Sequence, residues 1–561
     1  MSRANQITGE SGVVLIVCMI ILLMLSLIGI ISMTTSNTEM DMAGNEMHQT
    51  GAFYAAEAGL EEGASTLINS YETSGVPPNP LPTGYQTVNE YQYVYNVADM
   101  GAASVRTLTA GSYNGLYGLV KPFEIASSGA DNNLESGITL SLGLEDALIP
   151  IFQFAVFYEN DLEIAPGADM TLGGRVHTNG DMYLQAASSL SIDSYMSAAG
   201  EINHGRKAGS GQSVDNGDVL IRDENGVYQN MRSADGTFLD ASDPDWVDQS
   251  IGRWGGNVED RNHGITELYM PVVSNVPSTN LIDRGNSNPD SYENRAGLKF
   301  IDGQALYRQP DGTWTDVTAQ LIADGSISHN TFYDSRESVT IDALDVDISR
   351  LSSSGYFPTN GIIYSSTEQV GGNMDAMRLV NGQELPAGLT VATDNPLYTL
   401  GDYNTVNKQL AAFLADAVTI LSNNWSDGRS TQTLNSRPAS STTVNASYLT
   451  GNTETGSPGH NYSGGFENLP RFLEDWSGVE FKWRGSAVDL WYSRQADSPW
   501  SYGSYYNAPN RNWAFDLDLM DPNKLPPGTP QVNIVIRTSW HQSTLSDFSV
   551  FQGYRDTEGA N

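Results

Sequence analysis

The stretch from Val13 to Met33, VVLIVCMIILLMLSLIGIISM, contains no charge and no proline, and as a helix it covers about 30 Å, one hydrocarbon core. A soluble helix keeps a polar face; one that is apolar on every side belongs in a bilayer. The rival reading is a cleaved signal peptide. Against it, the run exceeds the ~7–15 residues of a signal core, and no A-x-A-like site follows Met33. Arg3 on one flank against Glu39, Asp41 and Glu46 on the other favours an N-terminus inside and the bulk of the chain outside.

No proline follows until Pro77, so a helix starting near Gly12 can run to about Ser70, roughly 85 Å. Past the apolar span, Met40, Ala43, Met47, Phe53, Ala56, Leu60, Ala64, Leu67 and Tyr71 recur mostly at three- and four-residue intervals, which draws one apolar stripe. Gly44, Gly51, Gly59 and Gly63 each weaken an isolated helix by up to about 1 kcal/mol relative to alanine. Packing must compensate, either on the chain's own β domain or on the helices of neighbouring subunits.

The pattern then changes. The expected fold class is α+β: a long N-terminal transmembrane and amphipathic helix followed by a large, mainly β domain of sandwich or β-solenoid type. The expected units are a leader at 1–12, a transmembrane helix at 13–33, an amphipathic stem at 34–70, and a linker at 71–85 containing Pro77, Pro78, Pro80 and Pro82. A small sheet follows at 86–150, where Tyr91 to Val97 alternates. Residues 151–465 form a large β-rich region, and 466–561 a C-terminal β region. Between Asp161 and Ile202, short apolar pieces separated by Gly, Asn and Asp turns suggest rungs, without a strict period. A helix is expected over 405–422, with Leu410, Phe413, Leu414, Ala417, Val418 and Leu421 on one face. Strands are expected at Val479–Trp483, Phe515–Leu519 and Gln531–Thr538.

Charge and motif content narrow the chemistry. With 28 basic against 66 acidic residues, the net charge of −38 repels nucleic acid and anionic lipid, so no nucleic-acid partner is expected. Cys18 is the only cysteine, which removes intramolecular disulfides and cysteine zinc sites. The seven histidines form no His-Glu-x-x-His pair, and neither a G-x-S-x-G elbow nor a Walker A loop occurs. His177, Asn179 and Asp181 alternate in one strand-turn, a pattern a structural histidine explains. Asp516, Asp518 and Asp521 resemble a calcium-loop spacing, but Phe515, Leu517 and Leu519 alternate with the first two, which reads as a strand's solvent face. Asp235, Asp240, Asp243, Asp245 and Asp248 in a Gly- and Pro-containing loop are the calcium candidate, since hard cations take several oxygens from flexible loops; no other cofactor is expected. Trp483, Trp491, Tyr492, Trp500, Tyr502, Tyr505, Tyr506 and Trp513 form either a β core or a glycan-binding surface. The chain is expected not to be an enzyme; the alternative is a membrane-tethered, polysaccharide-active β-solenoid, for which paired carboxylates would do the chemistry.

The order Gly12-Val13-Val14-Leu15-Ile16, the apolar span, Met33-Thr34-Thr35-Ser36, Met42-Ala43-Gly44-Asn45 and Ala55-Ala56-Glu57-Ala58-Gly59-Leu60-Glu61 resembles the N-terminal region of PilX-type minor pilins, type IV pilus assembly proteins. The segments at 174–184, 389–398 and 468–476 also look like ones in large PilX-like proteins. The resemblance implies cleavage by a prepilin peptidase between Gly12 and Val13. It also implies packing against other pilins and minor pilins through a helix carrying Val17, Phe53, Ala56, Glu57, Leu60, Ala64 and Leu67. Val17 falls at the fifth mature position, where most pilins carry a glutamate. A buried unpaired charge is costly, so an apolar residue suits a subunit with none ahead of it, at or near the tip. The implied itinerary is a single-pass inner-membrane protein that passes into an extracellular pilus and supports assembly or adhesion to a surface or glycan. A tip pseudopilin of a type II-like secretion system is the alternative.

Overall fold

A computed structural model describes residues 10–109, 111–134, 136–270, 277–369, 371–459 and 462–551. One unbroken α-helix, α1 (Glu10–Ser74), contains 65 residues, four beyond the expected end at Ser70. Its first half stands free: side chains from Gly12 to Ala43 are exposed all round. Among the described residues this is the one helix long and apolar enough to cross a membrane.

The second half of α1 lies on an antiparallel sheet. Strands Thr83–Val88, Tyr91–Asp99, Tyr117–Asp131 and Gly137–Pro150 follow one another in space, with Ser104–Thr107 at the side. The last member comes from the far end of the sequence: Gln531–Thr544 pairs antiparallel with Gly137–Pro150. Alternate residues Phe123, Ile125, Ile138, Leu140, Leu142 and Leu144 point at the helix and close a core with Ala56, Leu60, Ala64, Leu67 and Tyr71, as a sheet with one buried face requires. The C-terminal region expected at 466–561 is therefore shared, its last strand belonging to the stem sheet.

The segment from Ile151 to Pro530 is an insertion between two neighbouring strands of that sheet, and its described residues fold as a β-solenoid, one of the two expected β architectures. The main wall holds twelve strands. The chain enters it at Phe154–Tyr158, the fourth strand from one end, and stacks parallel rungs outward through Arg175–Thr178, Met196–Ala198 and Val258–Glu259. It then crosses to the opposite end, starts again at Leu298–Ile301, and stacks back through Ile362–Ser366, Leu389–Thr393, Ala411–Ala415 and Ser447–Asn452. The last rung, Ala487–Tyr492, closes the wall by pairing parallel with the first, Ala487 opposite Val156. Two further walls complete each turn, for instance Leu162–Ile164, Met182–Leu184 and Ile202–His204.

Inward-facing Val156, Val176, Met196, Val391, Phe413 and Tyr448 fill the interior. The outward faces of the same wall are also covered: Tyr364, Ala392, Leu414, Leu449 and Val488 pack under the crossing segment, against Leu281, Ile282 and Tyr292. A wall buried on both faces reads as a continuous apolar run. That is why residues 405–422 are not the expected helix: they form two strands, Ala411–Ala415 and Val418–Leu421, every residue buried. Both ends of the solenoid are capped, which blocks end-to-end stacking. At one end Gln304–Arg308 and Trp314–Asp316 turn antiparallel. At the other, Tyr228–Asn230 turns back on Asp218–Arg222 and helix α2 (Trp246–Trp254) seats Trp246 and Trp254 in the core.

Candidate functional site: the stem helix and its sheet

The stem is where sequence signal and geometry meet. Gly12 and Val13, the expected processing pair, lie in the exposed start of α1, and Val17 is exposed in the apolar span. The other stem positions divide. Ala56, Leu60, Ala64 and Leu67 are buried on the chain's own sheet, Phe53 is half-buried, and Glu57 faces solvent. The lower stripe residues Met40 and Met47 stay exposed. The apolar stripe thus serves the chain's own sheet in its upper part and is open to neighbours in its lower part.

The helical glycines explain how closely the layers meet. Tyr91, Tyr93 and Tyr95 alternate on one strand face, and each covers a glycine of α1. A Cβ on Gly51 would lie 2.0 Å from Tyr91, on Gly59 2.5 Å from Tyr93, and on Gly63 2.9 Å from Tyr95. From the sheet side, a Cβ on Gly129 would lie 2.1 Å from the Ala52 carbonyl oxygen. These glycines weaken the helix as a free helix and are required for it as a packed one. The Tyr93 hydroxyl donates to Glu62 at 2.5 Å, and burial, with Glu62 next, holds that phenol well above its usual range.

Ionic contacts fasten the C-terminal strand. Arg537 grips Glu61 with two hydrogen bonds of 2.6 Å, which hold the Glu61 carboxyl below its usual value. One strand over, Asp146 is pushed up to about 6 by burial, opposed by hydrogen bonds from Asn533 and Tyr71. Sequence reasoning missed both contacts. Only the Val532, Ile534, Ile536 alternation hinted that this strand had a sheet to join.

The other expected sites resolve differently. Asp235 accepts from the Thr237 amide and hydroxyl, Asp240 from Ser242 and the His204 amide, and Asp243 from the Asp240 amide. Asp245 precedes α2 without capping it by a side-chain hydrogen bond, and Asp248 sits in its first turn. Asp235, Asp240 and Asp243 are thus engaged by nearby amides and hydroxyls, and among the described residues no three His, Cys, Asp or Glu side chains gather in a group that could hold a metal ion. Asp516 and Asp521 flank a 3-10 turn, Leu517–Met520, and Asp518 lies within it, so none of the three is on the outer face of a strand. Lys408 bridges Asp516 and Asp518.

His177 is fully buried between Phe154, Phe157 and Tyr113. Its ring bonds Ser197 at 2.8 Å and Asn179 at 3.1 Å, and desolvation pushes its pKa down to about 4, so it is neutral and structural. Of the C-terminal aromatics, Trp483, Trp491, Tyr506 and Trp513 are buried, Tyr492, Trp500 and Tyr505 are half-buried, and only Tyr502 is exposed. Trp483, Trp491, Tyr506 and Trp513 belong to the β core.

No curated protein matches this chain. Two chains of solved structures do. One is the competence-associated pilin ComZ from Thermus thermophilus, aligned over 89% of this chain and 98% of that one at 11% identity, with a TM-score of 0.24. That similarity is too slight to argue from. The sequence match is local: residues 11–61 fit the family model described as PilX N-terminal. These residues are the free length of α1 and the turns that first settle on the sheet, and over them the chain is similar to the N-terminal region of PilX-type proteins.

Proposed function

We propose that this chain is a non-enzymatic minor subunit of a type IV pilus, carried at or near the filament tip, where it displays the solenoid for assembly or surface adhesion. The observation behind this reading is the insertion itself. The solenoid leaves the stem sheet after Pro150 and rejoins it at Gln531, at the sheet end away from the apolar helix, and it is entered there through an interior strand, the fourth of the twelve in its main wall. In a filament built from packed helices, each head is overlain by the subunit added before it. A head of nearly four hundred residues inserted at that end of the stem leaves little room for such a neighbour, and Val17 in place of a charged residue suits the same terminal position. On this reading α1 holds the chain in the inner membrane with its N-terminus inside, cleavage between Gly12 and Val13 frees the helix, and other pilins pack on its exposed lower half. Mass spectrometry of sheared surface filaments tests it: the chain is expected there, at low abundance, with Val13 as its first residue. Its absence from filaments, while intact and uncut in the membrane, would overturn the proposal.

A further inference from the structure

We infer that the free edge of strand Gln531–Thr544, from Arg537 to Thr544, is a docking edge for the sheet of a neighbouring pilin-type subunit of a different kind, standing in the same orientation; this rests on the pilus reading above. Every residue from Arg537 to Thr544 is exposed. On one side the strand pairs with Gly137–Pro150, and on the other its only bridge among the described residues is Tyr269 to Asn533, above this stretch. Unpaired edges invite another strand, and proteins usually blunt them with lysine, proline, inward charge or a bulge; the one register shift here lies between Arg537 and Ser539, and from Ser539 to Thr544 the pairing runs without a break. Here none of Lys, Pro, Asp or Glu occurs from Val532 to Ser546, and the one arginine is engaged by Glu61. In a chain of net charge −38, a carboxylate-free edge is the surface where an approaching subunit meets least repulsion.

The surroundings fit the same partner. Trp540 is 51% exposed and leans on Phe53 at 6.4 Å, which leans on Tyr54, itself 63% exposed, at 5.6 Å. This aromatic ledge continues the exposed lower half of α1, so a subunit with its own stem helix would cover ledge and helix together, while its edge strand takes up the open backbone groups.

Orientation selects the occupant. Gly129 packs on Ala52 and Phe123 on Tyr71, so the strands run along the helix, and Thr544, level with Ile138 and Gly129, lies at the membrane end. A second copy joined symmetrically through this edge would pair antiparallel and point its apolar helix away from the shared membrane. A second copy in the same orientation would set two acidic solenoids side by side at one height. A different subunit with a smaller head meets neither obstacle.

The test uses the full-length chain in its own cells, with a photo-crosslinking side chain at Ser543 or, separately, at Met40 on the exposed helix. From 543, adducts are expected with another protein that begins with a pilin-type apolar helix, at an edge strand of its sheet. The pair Ser539→Lys and His541→Lys, both exposed, is expected to leave the melting temperature unchanged and to lower that adduct about tenfold by guarding the edge. Adducts from 40 but none from 543, adducts from 543 indifferent to the lysines, or adducts only with a second copy would overturn the inference and leave the pilus reading standing. Silence at both positions would overturn both.

Discussion

Gly59 of the stem helix and Tyr93 of the adjoining strand meet at a distance that leaves no room for a side chain: a Cβ on Gly59 would stand 2.5 Å from Tyr93 Cδ2 and 2.6 Å from Ser127 Oγ. Helix propensity and packing therefore oppose each other at this position, and packing wins. Alanine at Gly59 should destabilise the stem by about 1–3 kcal/mol through forced displacement of the ring. Alanine at Gly44, whose Cβ would meet nothing within 4 Å, should instead favour the helix by up to about 1 kcal/mol. Urea titrations of the two variants give opposite signs if this account is right; equal signs would refute it.

The Arg537–Glu61 pair predicts a pH dependence. Its hydrogen bonds lower the folded-state pKa of Glu61, so the pair's contribution is complete above the unfolded carboxyl pKa and disappears as pH falls through the folded one. Both side chains are about half exposed, which limits the effect to about 0.2–1 kcal/mol. Arg537→Gln should lower the denaturation midpoint at neutral pH and have no effect once Glu61 is protonated. An unchanged deficit in acid would mean that the arginine stabilises the strand by packing alone.

The parts of this fold that sequence reveals are those governed by local periodicity. The 3.6-residue stripe and the proline-free run locate α1 to within a few residues. Alternation in Tyr91 to Val97 locates the strand that covers it, and the burial of Trp483 and Trp513 follows from ordinary core chemistry. What sequence hides is governed by distant pairing. Ala411–Ala415 and Val418–Leu421 are apolar on both faces and so match a helix template as well as a strand. Gln531–Thr544 looks like the end of a C-terminal unit, because nothing local ties it to Gly137–Pro150. The rungs did carry a readable signal: Val156, Val176 and Met196 share one wall position, as do Leu162, Met182 and Ile202, each spaced by twenty residues. Insertions dilute that spacing after His204, since Ser189 already pairs with Asp218, which is why no period stands out across the whole region.

The same spacing produces a ladder of turns. Asp161 Oδ1 accepts the Asp181 amide and Asp181 Oδ1 accepts the Glu201 amide, each at 2.8 Å. Gly180 and Gly200 allow this, because a Cβ on either would lie 2.5 Å or less from the carboxylate below. Asp181→Ala should therefore cost about 1–2 kcal/mol by stranding the next rung's amide, and Asp181→Asn, which keeps an acceptor oxygen, should recover most of it. Hydrogen exchange at the Glu201 amide reports the effect; equal protection in the two variants would remove the carboxylate from the account.

Glu467 is one source of pH dependence within the solenoid. It is buried beside Tyr462 and Arg511 and accepts the Ala165 amide at 3.3 Å. Burial pushes its pKa from the ordinary 4.5 up to about 7, against the lowering influence of Arg511. A raised carboxyl pKa means that the folded state holds the proton more tightly, so its contribution is complete below about 4.5, declines as pH rises toward 7, and is flat above. Glu474, also pushed up to about 7, and Asp394 and Glu159, to about 6, act with the same sign, so the wild-type slope is shared. Glu467→Gln keeps an acceptor for Ala165 without a charge to bury. It should raise stability by about 1–3 kcal/mol near pH 8 and leave it nearly unchanged near pH 4. Urea midpoints of both proteins at the two pH values decide the matter: a gain of equal size at both would show that shape, not ionisation, separates the variants.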